Sequence, residues 1–209
     1  MKIKVGDKIQ FDWKNNDSFE WTNKNHWAKM CIQIAQHIDL IGRGWNANES
    51  WSLSRFTHTG TVIEVSETHY IVAEALNGGY TFIPYEKEYM KRLIDQGYCL
   101  VLRPQVRLQD VKKVASKMEG YPYDWKAIAG LAFTTIFRVM PIVSRAAVIM
   151  RYLHIPTAKT VICSEANSRL DFKCSGGKLD MPKEFGVSHD RIMPVHYTIS
   201  KQYGVMYGE

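Results

Sequence analysis

The sequence predicts an α+β protein from three observations. Three β-type runs between residues 60 and 85 follow one another across short turns, and helical periodicity falls outside that block. Cys163 stands where a β-branched run gives way to good helix formers. The expected architecture is a small antiparallel sheet packed on a helix that begins at this cysteine, with further helices around it. At 209 residues and 45% hydrophobic composition the chain fits one compact domain, 1–209, able to bury a core without disulfide or metal staples.

In chain order, a Gly6-Asp7 turn leads to a predicted strand over 8–13, and the polar, Asn-rich residues 14–25 read as a loop. Between 26 and 41, apolar residues at Trp27, Met30, Cys31, Ile34, Ile38 and Ile41 recur at helical steps, which puts Cys31 in the core. Five of the six tryptophans fall within the first 51 residues. Core or sheet cover is the favoured reading for them, and the wall of a substrate groove the lesser one.

Residues 60–65 and 69–75 form a predicted hairpin about Ser66, Glu67 and Thr68. A turn centred on Ser66 would set His58 opposite Glu74 and Val62 opposite Tyr70, within hydrogen-bonding reach on one face. A third strand follows at 80–85, then a charged helix over 86–96 and a strand over 97–104 that includes Cys99. A helix is predicted over 108–118, closed by Gly120, and Tyr121 to Trp125 make an aromatic turn. The apolar segment 127–150 is interrupted by Arg138, Pro141 and Arg145, so two helices are expected rather than a membrane span. A pair of helices touching a lipid headgroup boundary is the lesser alternative, and the only membrane contact foreseen. After the cysteine helix come a Gly-rich loop near 173–177 and a polar tail.

Charge and cysteine usage remove several functional classes. A formal net charge of +6 permits anionic partners, but no dense Lys/Arg block or aromatic platform marks a nucleic-acid binder. The four cysteines form no C-x-x-C pair, which argues against a zinc ribbon or thioredoxin motif and for a reducing compartment. The seven histidines are scattered, so no metal site and no cofactor is expected. The N-terminal residues show no signal-peptide pattern, and the expected location is cytoplasmic, with any action outside needing another export route.

The chemistry converges on Cys163. A thiol attacks a carbonyl carbon as its thiolate, favoured by a cation or a helix N-terminus beside it. Residues 159–162 end in β-branched side chains and 164–170 favour helix, so the helix begins at the thiol. Its free N–H groups are placed to hold an oxyanion. His58 would accept the thiol proton and Glu74 would orient the imidazole. Taken singly, each has a plainer reading: a small core cysteine, a capping histidine, a solvated strand glutamate.

The order of motifs resembles the circularly permuted papain-like group of the NlpC/P60 superfamily, which includes the YiiX/YaeF-like hydrolases. The resemblance covers almost the whole chain. It rests on Val5-Gly6-Asp7, His58-Thr59-Gly60, Ala73-Glu74-Ala75 with Gly78-Gly79, Leu102-Arg103-Pro104, Gly120-Tyr121-Pro122-Tyr123-Asp124, and Cys163-Ser164-Glu165. In that group the histidine strand precedes the cysteine helix, as here. The resemblance implies a thiol hydrolase with Cys163 as nucleophile, His58 as base and Glu74 as third polar residue. It also implies substrate-side positions at Tyr121, Tyr123 and Glu165, although Tyr123 reads equally as packing and Glu165 as a residue favouring its helix N-terminus. The implied substrate is an amide in a peptide, a peptidoglycan peptide or an aminoacyl lipid. Lipid acyl transfer or thioester hydrolysis on the same fold, and a binding protein without activity, are the alternatives. The insert at about 14–54 and the segment before Cys163 exceed a minimal member, and they bear on the substrate rather than on the catalytic core.

Overall fold

The computed structural model describes residues 2–12, 24–128 and 160–206. The predicted loop over 14–25 lies almost wholly outside the described residues, as does all of the apolar segment beyond residue 128.

The chain is α+β. Its six-stranded sheet comprises β1 (Lys8–Asp12), β2 (Phe56–Val65), β3 (His69–Leu76), β4 (Gly79–Glu86), β5 (Cys99–Pro104) and β6 (Tyr203–Met206). The spatial order is β4-β3-β2-β1-β5-β6, with every neighbouring pair antiparallel. The first strand is therefore central, held between β2 and β5.

Around the sheet lie helices α1 (Lys24–Gly42), α2 (Ala47–Ser54), α3 (Lys87–Asp95), α4 (Val111–Ser116), α5 (Cys163–Cys174), α6 (Met181–Phe185) and α7 (Pro194–Ile199). The expected helices at α1, α3, α4 and α5 and the strands from β1 to β5 all form, whereas α2 and the elements after residue 180 have no counterpart in the sequence reading. Cys31 is half-buried on α1 rather than fully enclosed.

Alternation along the strands divides the sheet into two faces. Ile9, Val62, Val72 and Val101 pack with Met90 and Leu93 of α3. On the other face, Ile63, Ala73 and Ala75 pack with Ala166 and Leu170 of α5 and with Val111 and Ala115 of α4. Small residues on β3 let α5 approach closely, and most of that helix is buried.

Buried polar groups tie α5 down as well. Lys8 on β1 pairs with Asp171 on α5, both without solvent exposure, and Lys8 Nζ also donates to Thr61 Oγ1 at 2.6 Å. Thr61 donates to Asn167 Oδ1 at 2.6 Å, and the Tyr203 hydroxyl donates to Asp171. Burial pushes the Asp171 carboxyl up, against the opposing influence of Lys8 and Tyr203.

Two pairs of the separately spaced sequence motifs meet in space. The Arg103 guanidinium makes a bidentate pair with Asp7, Nε to Oδ1 at 2.9 Å and Nη2 to Oδ2 at 2.8 Å, joining β5 to the turn before β1. Gly79 has φ +112, and a Cβ there would come within 2.7 Å of the Tyr121 carbonyl oxygen. That approach lets Tyr80 N–H donate to the Tyr121 carbonyl at 2.8 Å and Gly120 N–H to the Tyr80 carbonyl at 2.9 Å. The aromatic turn is thereby clipped to β4, at the end of the sheet nearest Cys163.

Candidate active site

Cys163 is the first residue of α5, and Ile162 before it is extended. The approach to the helix is fixed by Asp124, whose Oδ2 accepts the Thr160 hydroxyl at 2.7 Å and whose Oδ1 accepts Ala127 N–H at 2.9 Å. A parallel bridge between Tyr123 and Val161 completes the join. Glu165 stands in the first turn of α5 and pairs with Arg169 at 2.5 Å. It thus holds Arg169 and does not line the cavity described below.

His58 Nε2 lies 2.6 Å from Glu74 Oε2, a direct hydrogen bond between β2 and β3. The expected pairing of these residues holds, but the expected register does not. Thr61 pairs with Ala73 and Val62 with Val72, while Tyr70 pairs with Val65 after an irregularity between Val62 and Glu64. On the His58 side of that irregularity the strands are therefore shifted by two residues from a turn centred on Ser66, and next to the turn by three. A shift of two keeps every side chain on its face, so His58 and Glu74 become diagonal rather than direct neighbours.

Continuing that register sets Gly60 opposite Glu74, which explains how the diagonal is bridged. A Cβ on Gly60 would lie 2.7 Å from Glu74 Cγ and 2.5 Å from Val72 Cγ1, so the glutamate side chain passes directly over the glycine. Gly60→Ala is expected to push Glu74 off His58 and to cost about 1–3 kcal/mol in overpacking. The check is chemical denaturation together with the alkylation rate of Cys163. Unchanged stability and rate would mean that the glutamate has room to give.

The third group arrives around the end of the sheet. His58 and Glu74 lie on the face opposite α5, but β2 is irregular just before His58: Phe11 pairs with His58 and Asp12 with Phe56, leaving Thr57 as an extra residue. Bulges of this kind re-aim side chains at sites. Cys163, the first residue of α5, acts on His58 through its charge, the largest of the influences that raise the imidazole pKa. Burial alone would lower the His58 pKa, yet the charge of Cys163 and the bond to Glu74 together raise it to about 10. The arrangement favours the imidazolium form of His58.

A cavity of about 460 Å³ opens beside this pair, with His58 and Glu74 in its wall. Phe11, Tyr85, Tyr89, Leu93, Tyr123 and Trp125 give it an aromatic and apolar lining. Cys163 is only 3% exposed and faces a much smaller void, also bordered by Tyr123 and Ile162. Tyr123 borders both spaces, and its ionisation is opposed first by burial and then by the charge of Cys163.

Tyr121 takes a different place. It packs against the core under α5, gives its carbonyl to Tyr80, and does not line the cavity. Trp45 and Trp51 are exposed, Trp51 lying edge-on to His37 at 5.1 Å between centroids, and neither borders the cavity. They are neither core nor groove wall. Trp13, Trp21 and the Trp27 side chain lie outside what is described. The residues that sequence reasoning missed are Phe11, Tyr85, Tyr89, Leu93 and Trp125. For Phe11 and Tyr85 the alternation of β1 and β4 carried a usable signal, since it sets them on the face of His58.

Among the described residues, no helix is long and apolar enough to cross a membrane, and no group of three or more His, Cys, Asp and Glu side chains is arranged to hold a metal ion. Comparison with protein-family models, with curated proteins and with solved structures returns no match.

Glu165 yields a pH prediction. Burial raises its carboxyl to about 7, despite Arg169 and the Ile162 backbone, which lower it. A carboxyl whose folded pKa exceeds its unfolded value of about 4.3 stabilises the fold when protonated, so this contribution is present at low pH. It is lost as pH rises from about 4.3 through about 7. Denaturation of the wild type is expected to show a loss on the order of 3 kcal/mol across that window, by the linkage of pKa to stability. The Glu165→Gln chain should lack this loss, and equal slopes in the two chains would contradict the assignment.

Proposed function

We propose that the chain is a cysteine hydrolase that cleaves an amide bond through an acyl-cysteine intermediate, with a Cys163-His58-Glu74 triad. The observation that carries this reading is the meeting of three residues from three elements: His58 is bonded to Glu74 at 2.6 Å and feels the charge of Cys163, the cysteine at the start of a buried helix. The resemblance of the motif order to permuted papain-like NlpC/P60 hydrolases supports it further.

In the proposed reaction His58 takes the proton of Cys163, and the sulfur attacks the carbonyl carbon. The carbonyl oxygen gains negative charge, which the N–H groups of the first turn of α5 are suited to receive. On collapse of this intermediate His58 donates its proton to the leaving amine, leaving a thioester on Cys163. Water, deprotonated by His58, then attacks the thioester and releases the acid and the thiol. Glu74 holds the imidazole orientation and stabilises its charged form throughout.

The lining of the cavity favours substrates with a bulky apolar or aromatic acyl part over small polar ones. The same feature favours a second reading, transfer or hydrolysis of a lipid-type acyl group from a thioester or ester.

A trapping experiment separates these. The protein is incubated with an N-acyl amino acid amide, a short acyl thioester and a phospholipid in turn, and the peptide containing Cys163 is weighed by mass spectrometry. An acyl adduct from the amide supports the hydrolase reading. An adduct from the thioester or lipid alone supports acyl transfer, and no adduct from any donor would contradict both.

A further inference from the structure

Glu74 has two carboxylate oxygens, and only one of them is used. Oε2 is held by His58, whereas Oε1 is buried and receives no hydrogen bond among the described residues. A buried acceptor left without a donor is unfavourable, and a carboxylate with one free oxygen can pivot about the other. Both consequences work against a group whose task is to orient an imidazole.

The side chain poised to complete the carboxylate is Tyr85 on β4. It lies on the His58 face of the sheet, in the wall of the same cavity, with its ring 5.6 Å from Phe11. Phe11 in turn lies 5.7 Å from His58, so the three rings form one packed row beside the glutamate. Tyr89 of α3 stacks on the far side of Tyr85 at 6.4 Å and restricts its swing. We infer that Tyr85 is a positioning residue for the candidate triad, its phenol donating to Glu74 Oε1 so that Oε2 is held in one orientation toward His58 Nε2.

The electrostatics agree with this geometry. Ionisation of Tyr85 is opposed first by burial and then by the charge of Glu74. The phenol therefore keeps its proton, as a donor must. The charged or titratable groups facing the pair from other elements are Cys163 of α5, Asp12 of β1, Lys29 of α1, Tyr89 of α3 and Tyr123 of the aromatic turn. None of these supplies a donor to Oε1.

The catalytic meaning of this role rests on the hydrolase reading, but its test needs no substrate, so failure of Cys163 to form an adduct leaves it standing. The imidazole of His58 is titrated by nuclear magnetic resonance in the wild type, in Tyr85→Phe and in Tyr89→Phe. The midpoint near 10 is expected to fall by about one unit in Tyr85→Phe, a tenfold loss of proton affinity. It should not move in Tyr89→Phe. An unchanged or raised midpoint in Tyr85→Phe overturns the inference, because loss of packing alone leaves no reason for a shift confined to that hydroxyl.

If Tyr85→Phe does not fold, the wild type labelled with carbon-13 at the tyrosine Cζ carries the test. Tyr85 should remain un-ionised where exposed tyrosines titrate, at about pH 10, and should ionise at lower pH in Glu74→Gln. Ionisation of Tyr85 together with the exposed tyrosines, or no response to Glu74→Gln, overturns it.

Discussion

Lys8→Met is expected to destabilise the fold by about 3–5 kcal/mol, the usual range when one partner of a buried ion pair is removed. Lys8 and Asp171 have no exposed side-chain surface, and the pair joins the central strand to α5. Methionine retains much of the volume of the lysine stem but leaves the Asp171 carboxylate, among the described residues, with the Tyr203 hydroxyl as its side-chain donor. Because burial already pushes that carboxyl up, the variant should bind a proton at Asp171 and recover part of its stability as pH falls. The double variant Lys8→Met, Asp171→Leu should be much nearer to wild type, since replacing both partners by apolar groups removes the orphaned charge. Urea denaturation of the three chains checks this, and a single variant as stable as wild type would mean that the pair contributes no net positioning of α5.

His58→Ala is expected to slow acylation of Cys163 by about 10²–10⁴-fold, the range for loss of a positioned acid-base group. The effect should depend on pH. In the wild type His58 stays cationic through neutral pH and loses its proton near 10, so the reactive pair should persist across that range. The raised imidazole pKa also stabilises the fold. That contribution is complete below the ordinary histidine value of about 6.5 and is lost as pH rises through about 10. The alanine variant should lack both effects. A stopped acylation assay over pH 6–11 measures the first and denaturation over the same range the second. A rate within a few-fold of wild type would remove His58 from the mechanism.

The sequence was informative where side-chain period and local chemistry coincide. The hairpin of β2 and β3 is marked by β-branched runs around a short polar turn, and the His58-Glu74 pair survives a register error because, on its side of the irregularity, that error is an even number of residues. The cysteine helix is marked by the change from Thr160, Val161 and Ile162 to the helix formers after Ser164.

What escaped depends on contacts between distant segments. Gly60 reads as a plain strand glycine until Glu74 is seen to cross it. Tyr121 and Tyr123 are equivalent in a local aromatic turn, and only the clip to Tyr80 and the bridge to Val161 send one to the core and the other to the cavity. Lys8 looks like a solvated strand residue, because its partner lies 163 residues away. The elements after residue 180 are short, and α7 and β6 are held by tertiary contacts rather than by propensity: Gln10 Oε1 accepts the Thr198 hydroxyl at 2.6 Å, and β6 pairs with β5.

The central claim is that Cys163 is an activated thiol and not a small core residue. The most direct measurement is competitive alkylation of the native chain with a limiting amount of iodoacetamide at neutral pH, read cysteine by cysteine in a mass spectrometer. Cys31 is half-buried, whereas Cys99, Cys163 and Cys174 are buried, so accessibility alone would favour Cys31. Burial also raises the Cys31 and Cys99 thiols, and raises Cys174 to about 11. The predicted result is that Cys163 reacts first despite its low exposure, and that His58→Ala abolishes this lead. Alkylation of Cys31 ahead of Cys163, with no effect of His58→Ala, would contradict the account.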